Sequence, residues 1–100
     1  MSEVKHTSIT DEKRIEEILK SEGYFNIFVW HDRAGTRYEE HTHPYDEVRW
    51  VVSGTLQIME SGSTITLNAG DRLESEADTP HSAYVPEDVT YICASKEPTL

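Results

Sequence analysis

From Tyr24 to Ser95 the chain is cut into short β-prone runs by turn residues, and this punctuation leaves few folds open. Residues 24–30 (Tyr-Phe-Asn-Ile-Phe-Val-Trp) are rich in aromatic and β-branched side chains. They read as a largely buried strand, with Phe28 and Trp30 in the core. Residues 32–35 form a turn, and a second strand runs from Arg37 to His43. Residues 46–53 follow, and Gly54-Thr55 turns them into residues 56–60. Ser61-Gly62-Ser63 then closes a hairpin onto residues 64–67. After a turn at residues 68–71 comes a short strand at 72–74. Two last strands, near 81–85 and 89–95, flank Pro86-Glu87-Asp88. Short strands at spacings of about 8–12 residues, with turn signals between them, predict an all-β antiparallel sandwich or barrel.

The preceding segment reads differently. Residues 1–9 are polar and show no periodicity, so His6 is expected to be solvated or disordered. Thr10 reads as an N-cap, with Asp11 and Glu12 well placed for the helix dipole. Ile15, Ile18 and Leu19 form one apolar stripe, and Gly23 suits the left-handed position that ends a helix. One amphipathic helix is predicted over residues 11–21, its stripe covering a face or edge of the sheet. The 100 residues are expected to make a single domain, with an N-terminal segment at 1–23 and a β-barrel at 24–95.

The chemistry concentrates in residues 35–54. In a strand, alternate side chains share a face, so His41 and His43 present two imidazoles side by side. Pro44 ends or bends that strand, and the next begins with the Glu47 carboxylate. His81, at the start of a later apolar run, is a fourth candidate ligand. Imidazole nitrogens with one carboxylate suit a divalent transition metal better than calcium or magnesium, which favour oxygen.

This pattern resembles the cupin superfamily, specifically its small single-domain metal-binding members. The first cupin motif, Gly-x5-His-x-His-x3-Glu-x6-Gly, is matched by Gly35, His41, His43, Glu47 and Gly54. The second, Gly-x5-Pro-x-Gly-x2-His-x3-Asn, is matched by Gly70 and His81, while Glu76, Asp78 and Val85 replace its Pro, Gly and Asn. Pro80 is placed to stiffen that turn. The resemblance implies an antiparallel double-sheet jelly roll. It also implies one divalent metal (iron, manganese, nickel, cobalt, copper or zinc) on His41, His43, Glu47 and His81. Such a shell carries a net charge near +1 and leaves two of six octahedral positions open for water, dioxygen or substrate.

Strand alternation places Arg49 and Val51 on the face of Glu47, with Val48, Trp50 and Val52 facing away. Arg49 therefore projects towards the metal as a candidate catalytic group, able to clamp a carboxylate or enolate oxygen. Its alternatives are a pairing with an inward acid such as Glu39, or a place on the rim. The segment Asp46-Glu47-Val48-Arg49 is similar to the Glu-Ile-Arg segment of acireductone dioxygenases. Gln57, Met59 and Tyr84 are weaker candidates for the barrel lining, since a one-residue slip reverses the inward set.

Composition removes other classes. Nineteen acidic against nine basic residues give a net charge of −10, against nucleic acid or an anionic membrane as partner. The single Cys93 excludes an intrachain disulfide and reads as a small buried hydrophobe. No apolar leader follows Met1 and no run reaches membrane-spanning length, so a soluble cytoplasmic protein is expected. A homodimer is expected too, because small cupins often pair sheets. Three readings remain in play: a small dioxygenase-type enzyme acting on an anionic metabolite, a non-catalytic module that binds or senses a small ligand through the metal, and a stable domain that takes up whichever metal is abundant.

Overall fold

The computed structural model describes residues 2–96. The elements in chain order are β1 (Glu3–His6), α1 (Glu12–Ser21), β2 (Phe25–Asp32), β3 (Arg37–His41), β4 (Glu47–Glu60), β5 (Ser63–Asn68), β6 (Asp71–Ser75) and β7 (His81–Ser95). All strand pairs are antiparallel. The long strands β4 and β7 pair with each other and carry everything else. The first half of β4 pairs with β6, and β6 with β1, while the second half of β4 pairs with β5. The second half of β7 pairs with β2, and its first half with β3. Both halves of the ribbon contribute to one apolar core, Leu56, Ile58 and Ala83 from one and Val51, Leu73 and Tyr91 from the other. The halves therefore face each other as a jelly-roll β-sandwich, as the turn spacing predicts.

Two predicted turns are instead bends inside continuous strands. Gly54 lies within β4 at φ +81°, where a Cβ would overlap the Asp88 carbonyl oxygen of β7. The β4–β7 register shifts between Val51 and Gln57, opposite Glu87. Backbone at left-handed φ and this close to its neighbour admits only glycine. Both long strands thus cross from one sheet half to the other at the same level without breaking.

The helix covers the outer face of one half. Ile15 and Leu19 are fully buried and cluster with Val48, Trp50, Ile92 and Ala94. Val51 packs in the inner core instead, so the predicted division between inward and outward β4 residues is observed. An isolated ten-residue helix is marginal in water, so this packing holds it. Each buried aliphatic contributes about 1.5–3 kcal/mol. The N-cap is Asp11 rather than Thr10, its carboxylate accepting from Lys13 N–H at 3.2 Å.

The polar N-terminus also differs from expectation. Residues 3–6 form edge strand β1 on β6, with Val4 against the inner core. His6 is largely exposed but pairs with Asp71, Nδ1 to Oδ1 at 2.6 Å. A second correction concerns β2. Phe28 and Trp30 are 56% and 48% exposed, not core residues. Among the described residues strand β2 is an edge that pairs only with β7, and its inner face lies where the sandwich opens.

Candidate metal centre

His41 ends β3 and His81 opens β7, and the two are register partners. His43 follows two residues on, in the connection to β4. The Asp78 N–H donates to the His43 carbonyl at 2.7 Å, tying that connection to the loop that delivers His81. Asp78 has φ +63°, at the position where the second cupin motif has glycine. Aspartate is among the few residues that enter the left-handed region readily, so the turn is kept without glycine.

One ligand atom from each of His41, His43 and His81 lies within 4.8 Å of the others. The His41 Nδ1 is 2.6 Å from the Glu39 carbonyl, and the His81 Nδ1 is 2.9 Å from the Thr79 carbonyl. A carbonyl only accepts, so both Nδ1 atoms carry the proton and both Nε2 atoms are left as acceptors. Backbone carbonyls fix metal-binding imidazoles in this way. The His43 ring stacks on Tyr45 at 5.2 Å. Burial, and then the Arg49 charge, hold the His81 pKa below its ordinary value, which keeps the ring neutral.

The Glu47 carboxylate joins this group. Its Oε1 is 3.3 Å from His81 Nε2 and its Oε2 is 4.0 Å from His43 Nε2. Arg49 Nη2 donates to Glu47 Oε1 and to His81 Nε2, each at 3.0 Å. The alternative pairing of Arg49 with Glu39 is not observed. Two acceptors 3.3 Å apart, both largely buried, call for a cation between them. The donor set fits a divalent transition metal by the same logic. Nitrogens on opposite sides of a metal with ~2.1 Å bonds lie about 4.2 Å apart, so the triad closes on an ion with small side-chain rotations. Three histidines here can hold a metal.

These residues form one wall of a cavity of about 220 Å³. Its other walls are Leu56, Ile58 and Ala83 from one sheet half, and Tyr91 and Cys93 from the other, with Trp30 and Tyr38 at the opening. Gln57, Met59 and Tyr84 are not among the lining. The β4–β7 register pairs Gln57 with Tyr84 and Ile58 with Ala83, which turns Ile58 and Ala83 inward. Tyr84 instead packs beneath the Arg37 guanidinium at 4.6 Å. Burial pushes the Cys93 thiol up to about 12, so it is a neutral wall group. Sequence reading missed Trp30, Tyr38 and Tyr91 as lining residues. Alternation alone places Trp30 and Tyr91 on inward faces, but not at an opening.

The family assignment follows from both motifs and fold. The cupin domain family matches residues 28–94. Similar solved structures include a conserved Streptococcus pyogenes protein of unknown function, at 23% identity and TM-score 0.69, covering 74% of this chain and 65% of that one. A cupin-2 domain protein from Shewanella frigidimarina matches at 27% identity and TM-score 0.65, covering 73% and 69%. The DMSP lyase DddQ of Ruegeria pomeroyi matches at 20% identity and TM-score 0.65, covering 71% of this chain but 37% of its own. The chain thus spans less than two thirds of the S. pyogenes protein, and at these identities the S. pyogenes and R. pomeroyi likenesses show the fold alone. No curated protein matches the chain. These comparisons do not show the local likeness to acireductone dioxygenases. No helix among the described residues is long and apolar enough to cross a membrane. The chain belongs to the cupin domain family.

Proposed function

We propose that this cupin is a metal-dependent enzyme of dioxygenase type acting on a small anionic metabolite. The observation that carries the reading is the convergence of three imidazoles, the Glu47 carboxylate and the Arg49 guanidinium on one wall of a cavity open to solvent. His41, His43, His81 and Glu47 would hold the ion. A redox-active divalent metal in that seat supplies open coordination positions and the electron transfer that activates dioxygen. A reaction of this type would place both oxygen atoms in the product and would need no separate reductant. Arg49 anchors and orients the anion. Its guanidinium lines the cavity beside the three histidines, where it can pair with an incoming anion. The apolar walls exclude water, which strengthens that charge pairing.

We take the working unit to be a cytoplasmic homodimer. The edge of β2, with Phe28 and Val29 each more than 40% exposed, supports self-association. A net charge of −10 argues against nucleic acid as partner.

The first test is elemental analysis of protein purified without a chelating column, beside His43→Ala and Glu47→Ala variants. About one equivalent of one transition metal, lost in both variants, is expected. Oxygen consumption across a panel of small carboxylates and enols then follows, with Arg49→Gln as control. Turnover that disappears in Arg49→Gln supports the reading. Ligand-dependent stabilisation without turnover under any metal replaces it with a binding or sensing module.

A further inference from the structure

The cavity divides sharply by polarity. Every charged or imidazole side chain that lines it belongs to the single cluster of Glu47, Arg49 and the three histidines. The tyrosine hydroxyls, its other strong polar groups, are already committed. Tyr91 Oη donates to Asp32 Oδ2 at 2.8 Å, and Tyr38 Oη reaches both Asp32 oxygens at 3.0 Å. Asp32 ends β2, Tyr38 lies on β3 and Tyr91 on β7, so this one carboxylate ties three strands together. It also leaves the tyrosines offering the cavity ring carbon rather than hydroxyl. Burial and the hydrogen bond to Asp32 both raise the Tyr91 pKa, so that hydroxyl stays protonated and bound. Cys93 and the aliphatic side chains of Leu56, Ile58 and Ala83 complete a largely apolar surface.

We infer that the site is specific for a small monocarboxylate with a flat apolar body, aromatic by preference. This rests on the Arg49 reading above and deepens it. The carboxylate pairs with the Arg49 guanidinium on the cavity wall, and the body lies between the aliphatic wall and Tyr91. About 220 Å³ is the room of roughly seven water molecules at about 30 Å³ each, the size of a small ligand. Trp30, half-exposed at the opening, extends the apolar surface beyond that volume and supplies a ring face for stacking. A dicarboxylate would bury its second charge against hydrocarbon and face the Asp32 carboxylate behind the tyrosines. A polyol would leave its hydroxyls unpaired. Both are rejected by the same walls.

The test is calorimetric titration of the metal-containing protein with three probes of similar size: benzoate, benzyl alcohol and succinate. Benzoate is expected to bind at least ten-fold tighter than either comparator. In Trp30→Ala, whose side chain is too exposed to carry the fold, benzoate affinity falls about three- to ten-fold and succinate affinity does not change. Succinate binding as tightly as benzoate overturns the inference but leaves the Arg49 anchor standing. Benzyl alcohol binding as tightly as benzoate overturns the Arg49 anchor and, with it, the specificity for a carboxylate. No binding of any probe overturns both.

Discussion

Arg49 Nη2 sits 3.0 Å from His81 Nε2, donating to the same lone pair that a metal on His81 would use. The same nitrogen donates to Glu47 Oε1, so the guanidinium is the cation between two acceptors of the candidate metal centre. Metal and this arrangement of Arg49 exclude each other at His81.

Replacing Arg49 is therefore expected to act in opposite directions on the two forms. Without metal, Arg49→Gln leaves the largely buried Glu47 carboxylate without its ion pair, lowering stability by about 1–3 kcal/mol. Metal binding is expected to tighten, because a competing cation has gone. Thermal melts with and without added metal check both effects: a lower starting Tm and a larger metal-induced rise. A smaller rise than in the parent protein would mean that Arg49 and the ion do not compete.

Gly54→Ala is expected to cost roughly 2–4 kcal/mol, from left-handed backbone strain and from overlap with the Asp88 carbonyl. The readout is the urea midpoint. Gly35→Ala, where φ is +92° but nothing lies within 4 Å, is expected to cost the strain alone and shift the midpoint less.

Leu19→Ala removes a fully buried side chain from the helix–sheet cluster, at an expected cost of about 2–5 kcal/mol. That cluster lies on the opposite face of β4 from the cavity. Metal stoichiometry in the folded variant is expected to equal that of the parent, measured by elemental analysis.

Acid sensitivity has one identifiable source in the Glu22–Arg72 pair. Arg72 Nη2 lies 2.7 Å from Glu22 Oε1, and that hydrogen bond, with the guanidinium charge, lowers the Glu22 pKa. A carboxylate with a depressed folded pKa stabilises the protein above its unfolded value of about 4.3, and the contribution is lost as pH falls through the folded value. The effect is small, because the Glu22 side chain is 40% exposed and screened by solvent. Glu22→Gln is expected to lower stability slightly near neutrality and to flatten the profile below about pH 4.5, so that variant and parent converge in acid. A profile that keeps its slope would place the acid-sensitive group elsewhere.

The sequence alone determined the features that local periodicity encodes. Period two put Arg49 with Glu47, and Val48 with Trp50 on the other face of β4, while His43 lies beyond the end of β3 and is brought to His41 by the connection. Turn spacing set the β class, and the stripe of Ile15 and Leu19 set the helix. Only the tertiary structure decided which faces are covered and which lie open. Phe28 and Trp30 have the composition of core residues, but β2 is an edge whose inner side meets the opening of the sandwich. Strand β1 has Val4 as its lone apolar side chain and forms by backbone pairing to β6, which leaves no side-chain pattern to read. Gly54 and Pro86 looked like chain reversals because left-handed backbone and proline mark turns locally. The continuous β4–β7 ladder holds them as bends instead. The link from Asp78 to His43, and the Asp32 carboxylate shared by Tyr38 and Tyr91, join residues far apart in the chain or in separate strands. Such contacts arise from strand pairing over long sequence separations, which no local pattern encodes.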